Sequence, residues 1–164
     1  MNNIKSDMAG FTIIELMITL IIAAVILTVG IPSFSEIIKQ NSITAETNTV
    51  ISALNFARNE TITRDDDITI QPIVVASTNW SGGWQVIADG NTLRLFEAVE
   101  NTTLALTHPD GDTTITYQSD GSIESTAAIT LTLTPTDCDT GDNDIRVITI
   151  ALPGHASVAR ANCT

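Results

Sequence analysis

Positive charge is scarce in this chain. Of its 164 residues only 7 are Lys or Arg, against 19 Asp or Glu, for a net charge of −12. So acidic a protein is not built for electrostatic attachment to phosphate or to an anionic membrane surface. Histidine is scarcer still, with only His108 and His155. No G-x-S-x-G, phosphate-loop or H-E-x-x-H pattern occurs, and His108 before Pro109 reads as a turn residue. No enzyme and no cofactor is predicted. Internal repeats and low-complexity tracts are also absent, and the length suits one ordinary domain. The two cysteines, Cys138 and Cys163, lack the histidines a zinc site would need. In an oxidising compartment such a pair forms one bridge, pinning the chain end to the domain; the alternative is two unrelated buried thiols.

The most telling absence is local. From Leu16 to Ser35 there is no charged residue, and Phe11 to Ile31 carries a single one, Glu15. As a helix, this segment of 21 residues spans roughly 30 Å, the thickness of a bilayer core. Three readings compete. A cleaved secretory signal normally has an apolar region of only about 7–15 residues ending in small residues, which Gly30-Ile31-Pro32-Ser33 matches poorly. A plain membrane anchor leaves Glu15 as an expensive, unexplained carboxylate. The third reading gives the acid a purpose.

Gly10-Phe11-Thr12-Ile13-Ile14-Glu15-Leu16-Met17 resembles the prepilin peptidase motif of type IV pilins and type II secretion pseudopilins. The resemblance implies cleavage between Gly10 and Phe11 by a prepilin peptidase, followed by N-methylation of Phe11. It also implies a single-pass precursor held in inner-membrane lipid with its head in the periplasm. The partners would be other pilins or pseudopilins and an inner-membrane assembly platform. In a filament, the Glu15 carboxylate would pair with the Phe11 amine of a neighbouring subunit and set axial register, as a lone buried polar group can do. Capping of its own helix by Glu15 is compatible with that role. The leader, Met1–Gly10, departs from the family's basic pattern, because Lys5 and Asp7 cancel.

Pro32 follows the apolar run and predicts a helix kink, as in many pilins. Beyond it, Ile43, Thr47, Val50, Leu54, Ala57 and Thr61 recur at three- or four-residue steps, one stripe of an amphipathic helix. The helix is expected to reach Thr63 or Arg64 and to stop at Asp65-Asp66-Asp67. That makes about 54 residues from Phe11, roughly 80 Å of helix. The predicted organisation is therefore a leader at 1–10, a transmembrane or assembly half-helix at 11–31, an amphipathic half at 32–64, and a β-rich head at 65–164.

Six strands are expected in the head: Ile68–Ala76, Trp84–Ala88, Thr92–Glu97, Thr113–Gln118, Ala128–Thr134 and Ile145–Ala151. Gly82-Gly83, Asp89-Gly90, Asp110-Gly111, Asp120-Gly121 and Gly141 supply turns. The fold class is α+β, with a long helix covering one face of an antiparallel sheet. Three blocks in this order resemble minor pilins of the FimT/FimU and pseudopilin H class. They are Ser52 to Glu60 with Arg64, then Trp80-to-Asp89 with Arg94, then Arg146 to Gly154. Arg58 and Arg64 are read as solvated or paired with nearby acids, and Trp80 and Trp84 as packing residues. Some members of that class bind DNA through a C-terminal glycine and arginines. Here His155 and Ser157 stand at two of the expected basic positions, leaving Arg146 and Arg160, so DNA binding is not expected. The segment Asp137 to Asp144 is oxygen-rich, with Asp137, Asp139 and Asp142 as nominal ligands, but it lacks the spacing of a calcium loop, and no metal is predicted.

Overall fold

The structure, a computed structural model, describes residues 10–164, with the side chains of 29–33 excepted. The leader up to Ala9 and the predicted kink at Pro32 lie outside the described residues. The elements in order are α1 (Ile13–Arg64), β1 (Ile68–Pro72), β2 (Trp84–Ala88), β3 (Asn91–Phe96), β4 (Thr102–Thr107), β5 (Ile115–Tyr117), β6 (Ile129–Pro135), β7 (Ile145–Ile150) and β8 (Ala156–Ala161). The chain divides into two compact units, Met1–Lys39 and Gln40–Thr164.

In the first unit, α1 from Leu16 to Thr28 carries no charge and exposes apolar side chains on every side. Phe11, Ile13, Ile14, Leu20, Ile21 and Ile26 are each more than 60% exposed. A helix with no polar face needs a cover of lipid or of other helices. Among the described residues no helix is long and apolar enough to cross a membrane. The predicted 11–31 span runs past Thr28 into residues 29–33, outside the described side chains.

In the second unit, α1 buries Ile43, Thr47, Val50, Ala53, Leu54, Ala57 and Thr61. This is the predicted stripe with Ala53 added. The helix stops where expected. Asp65 takes a left-handed conformation with φ 54°. The Asp66 amide then reaches back to the Thr61 carbonyl at 3.3 Å, the long bond of a Schellman termination. The Thr61 hydroxyl adds hydrogen bonds to the carbonyls of Asp66 and Tyr117, fastening the helix end to β5.

All six expected strands form, with β1 cut short at Pro72. A proline ends the ladder because it has no N–H to donate. The expectation of one sheet is corrected. There are two four-stranded antiparallel sheets, ordered β3-β2-β1-β5 and β4-β6-β7-β8, and two strands lie beyond the six expected. One is β4, which buries Thr102, Leu104 and Leu106 on alternate positions. The other is β8, an edge strand of small and polar residues, mostly exposed. The Asp89-Gly90 pair closes the β2–β3 hairpin with φ 49° and 76°. Positive φ at both central residues is what a two-residue hairpin turn requires. The helix stripe, the alternating strand residues Ile68, Ile70, Val86, Leu131, Leu133, Ile148 and Ile150, and both tryptophans share one apolar core. Trp84 stacks on Phe96 with ring centroids 5.6 Å apart. The packing role expected for the tryptophans is therefore what the structure gives them.

Candidate functional site

The N-terminal determinants lie at the start of α1. Gly10, Phe11 and Thr12 precede the helix in open, exposed backbone. Thr12 caps it: its hydroxyl accepts from the Glu15 amide at 3.2 Å, and its carbonyl accepts from the Leu16 amide at 3.1 Å. Thr12-Ile13-Ile14-Glu15 has the threonine and glutamate spacing of a capping box, a signal legible in the sequence. It puts the Glu15 carboxylate in the first turn, where the helix dipole favours a negative charge. Glu15 is exposed.

The second determinant is a clamp that sequence reasoning missed. Arg58 is half-buried, and the partners it shows are backbone carbonyls rather than an acid. Its Nε donates to the Gly121 carbonyl at 3.0 Å and its Nη2 to the Pro153 carbonyl at 3.3 Å. Arg58 thus ties α1 to the turn after β5 and to the β7–β8 hairpin. Gly154 makes this possible. Its φ is +81°, and a Cβ there would lie 2.0 Å from the Gly121 carbonyl oxygen and 2.9 Å from Arg58 Nε. Burial pushes the Tyr117 hydroxyl well above its ordinary value, with the Arg58 charge opposing. By contrast, Arg64 is paired with an acid as expected, at 2.6 Å from Glu60.

The third determinant is at the C-terminus. Cys138 and Cys163 form the expected bridge. The Gly141 amide donates to the Cys163 carbonyl at 3.1 Å, and the Cys163 amide to the Asp142 carbonyl at 2.7 Å. The acidic loop is thereby sewn to the last residues. Among the described residues no group of three or more His, Cys, Asp or Glu is placed to hold a metal. Arg146 and Arg160 are cross-strand partners on β7 and β8, but they differ in access. Arg160 is exposed, whereas Arg146 is 4% exposed. The Arg146 guanidinium donates to the carbonyls of Asn143 and Asp144 at 3.1 and 3.0 Å and to Gln40 Oε1 at 3.0 Å. Burial lowers its pKa, the Arg160 charge adds to that, and Asp144 opposes.

Two family profiles match the chain. The prokaryotic N-terminal methylation motif matches residues 5–31, and type II transport protein GspH matches residues 46–154. Among curated proteins no sequence matches significantly. Two crystal forms of the type IV minor pilin FimU of Pseudomonas aeruginosa strain PAO1 share the fold. The P21 form matches at a TM-score of 0.59 and 19% identity, over 73% of this chain and 89% of that one. The P65 form matches at 0.57 and 19%, over 71% and 91%. With a methylation motif at its start, the FimU fold in its head and the GspH profile over more than half its length, the chain belongs to the type II transport protein GspH family of minor pilin-like proteins.

Proposed function

We propose that this chain is a minor pilin subunit that assembles into, or primes, a type IV pilus. The observation that carries the reading is the union, in one chain, of a methylation motif at 5–31 with a GspH-type head at 46–154. The head also shares its fold with a type IV minor pilin. The subunit waits in the inner membrane as a single-pass protein with its head in the periplasm. A prepilin peptidase cuts between Gly10 and Phe11, and the new Phe11 amine is methylated. In the filament, Glu15 accepts that amine from a neighbour. Removing both charges from water is favourable only if they meet. The subunit is structural and performs no catalysis; its partners are other pilins and the assembly platform.

A second reading, a pseudopilin of a type II secretion system, is favoured by the GspH profile itself. DNA capture has less behind it, because Arg146 is turned inward and Arg160 alone is exposed. Phosphate binding needs several clustered cations.

Mass spectrometry of the mature chain tests the core of the proposal. The expected terminus is N-methyl-Phe11; an intact Met1 or a cut near Ser33 overturns it. Glu15→Ala should leave processing intact and abolish incorporation into sheared filaments. Normal incorporation of that variant would remove the pairing role.

A further inference from the structure

The two sheets of the head have an edge at each side, and the chain treats these edges unequally. The outer side of β4 is covered by the chain itself: the Trp80 amide donates to the Leu104 carbonyl and the Leu106 amide to the Thr78 carbonyl, both at 2.7 Å. The outer side of β5 is covered by residues 122–124, with the Glu124 amide on the Thr116 carbonyl at 2.9 Å. The β3 edge is bulged where the pairing with Val86 and Ile87 changes register, and its Arg94 lies over the Phe96 ring at 4.8 Å. A bulge twists an edge away from further pairing. Strand β8 has none of these protections. Its six residues keep an unbroken register with β7 and include no proline. The Ala151 amide donates to the His155 carbonyl at 3.0 Å, and antiparallel bonding alternates from there. The alternation turns the amides and carbonyls of Ala156, Val158 and Arg160 outward, where among the described residues they have no backbone partner.

The same three residues pair with Ile150, Ile148 and Arg146 and share their core-facing side of the sheet. Ile148 is fully covered, whereas Val158 beside it is 47% exposed. The apolar layer therefore runs out at an open edge. Arg160 stands across the ladder from another cation, Arg146, an unfavourable pairing. Arg146 is engaged by carbonyls and Gln40, Arg58 by the Gly121 and Pro153 carbonyls, Arg64 by Glu60, and Arg94 by two rings. Arg160 is the arginine left without a hydrogen bond, ion pair or ring partner among the described residues. We propose that β8 is a docking edge for an added strand: an extended segment of another protein, antiparallel to β8, with an apolar residue against Val158 and a carboxylate against Arg160. Backbone bonds to a free edge supply affinity, and alternate side chains supply selectivity. A second copy of this chain fits poorly. Pairing β8 with β8 about Val158 sets Arg160 opposite Ala156, which leaves both guanidiniums without an acid. It also brings together two chains of net charge −12 each. The proposed strand site does not depend on the assembly reading above.

The test titrates the full chain, isotope-labelled and in detergent micelles, with the peptide acetyl-Thr-Glu-Thr-Val-Thr-Val-Thr-amide. In the proposed register its Glu, first Val and second Val lie opposite Arg160, Val158 and Ala156. Saturable shifts and slowed solvent exchange are expected at the amides of those three residues. Methylating the backbone nitrogen of the first Val, which points at β8, should remove binding. Methylating the nitrogen of the Thr after it, which points away, should not. Replacing the peptide's Glu by Gln should weaken binding about threefold, and Arg160→Gln should erase that difference. Val158→Pro should abolish binding, since its ring replaces an amide that β7 does not use; thermal melting verifies the fold, and the methylated peptides decide the matter without this variant. No saturable shift, indifference to the methyl at the first Val, or a Glu-to-Gln difference that survives Arg160→Gln overturns the proposal. Chain dimers formed through β8, or stronger protection of β8 by an oligonucleotide than by the peptide, also overturn it, assigning the edge to a second copy or to nucleic acid.

Discussion

At the scale of single residues, the head is held by contacts that a change of one or two atoms would break. Gly154 is the clearest case. Alanine there meets a carbonyl oxygen at 2.0 Å and a left-handed φ together, so Gly154→Ala should cost about 2–4 kcal/mol, the range of mutations that combine strain with a broken polar contact. Chemical denaturation measures it, and a change under about 0.5 kcal/mol would show that the clamp is slack. Tyr117 gives a pH prediction. Its hydroxyl is buried without a hydrogen-bond partner among the described residues, and burial raises its pKa. The folded state therefore keeps the neutral phenol where the unfolded chain would ionise. Its contribution is complete below the unfolded value of 10.0 and is lost as pH climbs beyond it. Tyr117→Phe should leave neutral-pH stability within about 1 kcal/mol, since no hydrogen bond is lost, and should flatten the fall in melting temperature above pH 10.0.

Elements repeat the lesson at larger spacing. The buried stripe of α1 was legible because apolar and threonine side chains recur every three or four residues, and nothing competes with that period. The stop at Asp65 was legible too, but at a cost the sequence could not reveal: an aspartate occupies the left-handed position that glycine prefers, with φ 54°. Asp65→Gly should raise stability by about 0.5–1 kcal/mol, seen as a higher denaturation midpoint; a loss would show that the side chain contributes something its backbone angle does not. Strand β8 stayed hidden because alanine, serine and arginine carry little β-propensity, and an edge strand buries too little to impose alternation. Strand β4 did show alternation in Thr102, Leu104 and Leu106. Arg58 was misread for a different reason. Its partners are backbone carbonyls 63 and 95 residues away, and carbonyls leave no trace in a sequence.

For the whole molecule, the disulfide is the longest covalent constraint described. It closes a loop of 25 residues, and chain-entropy reasoning gives such a closure about 3 kcal/mol. Cys138→Ser with Cys163→Ser should lower stability by about that amount. It should also expose the 139–142 loop to proteolysis, since Cys163 supplies that loop's backbone partners; an unchanged melting curve would mean the hydrogen bonds suffice. The N-terminal methylation motif was legible, for it is linear and lies within residues 5–31.

The threonine cap at the start of α1 has a consequence for how the precursor becomes a subunit. Because Thr12 fixes the first helical turn from within the retained chain, α1 does not depend on the leader for its beginning. In the proposed processing, the start of α1 is the same before and after the cut and only the charge changes: a bond is cut in non-helical backbone, and a cation appears two residues from the first helical one. Maturation on this account is a change of charge at a finished scaffold, with no refolding to wait for. A subunit released from the peptidase would be competent to dock at once.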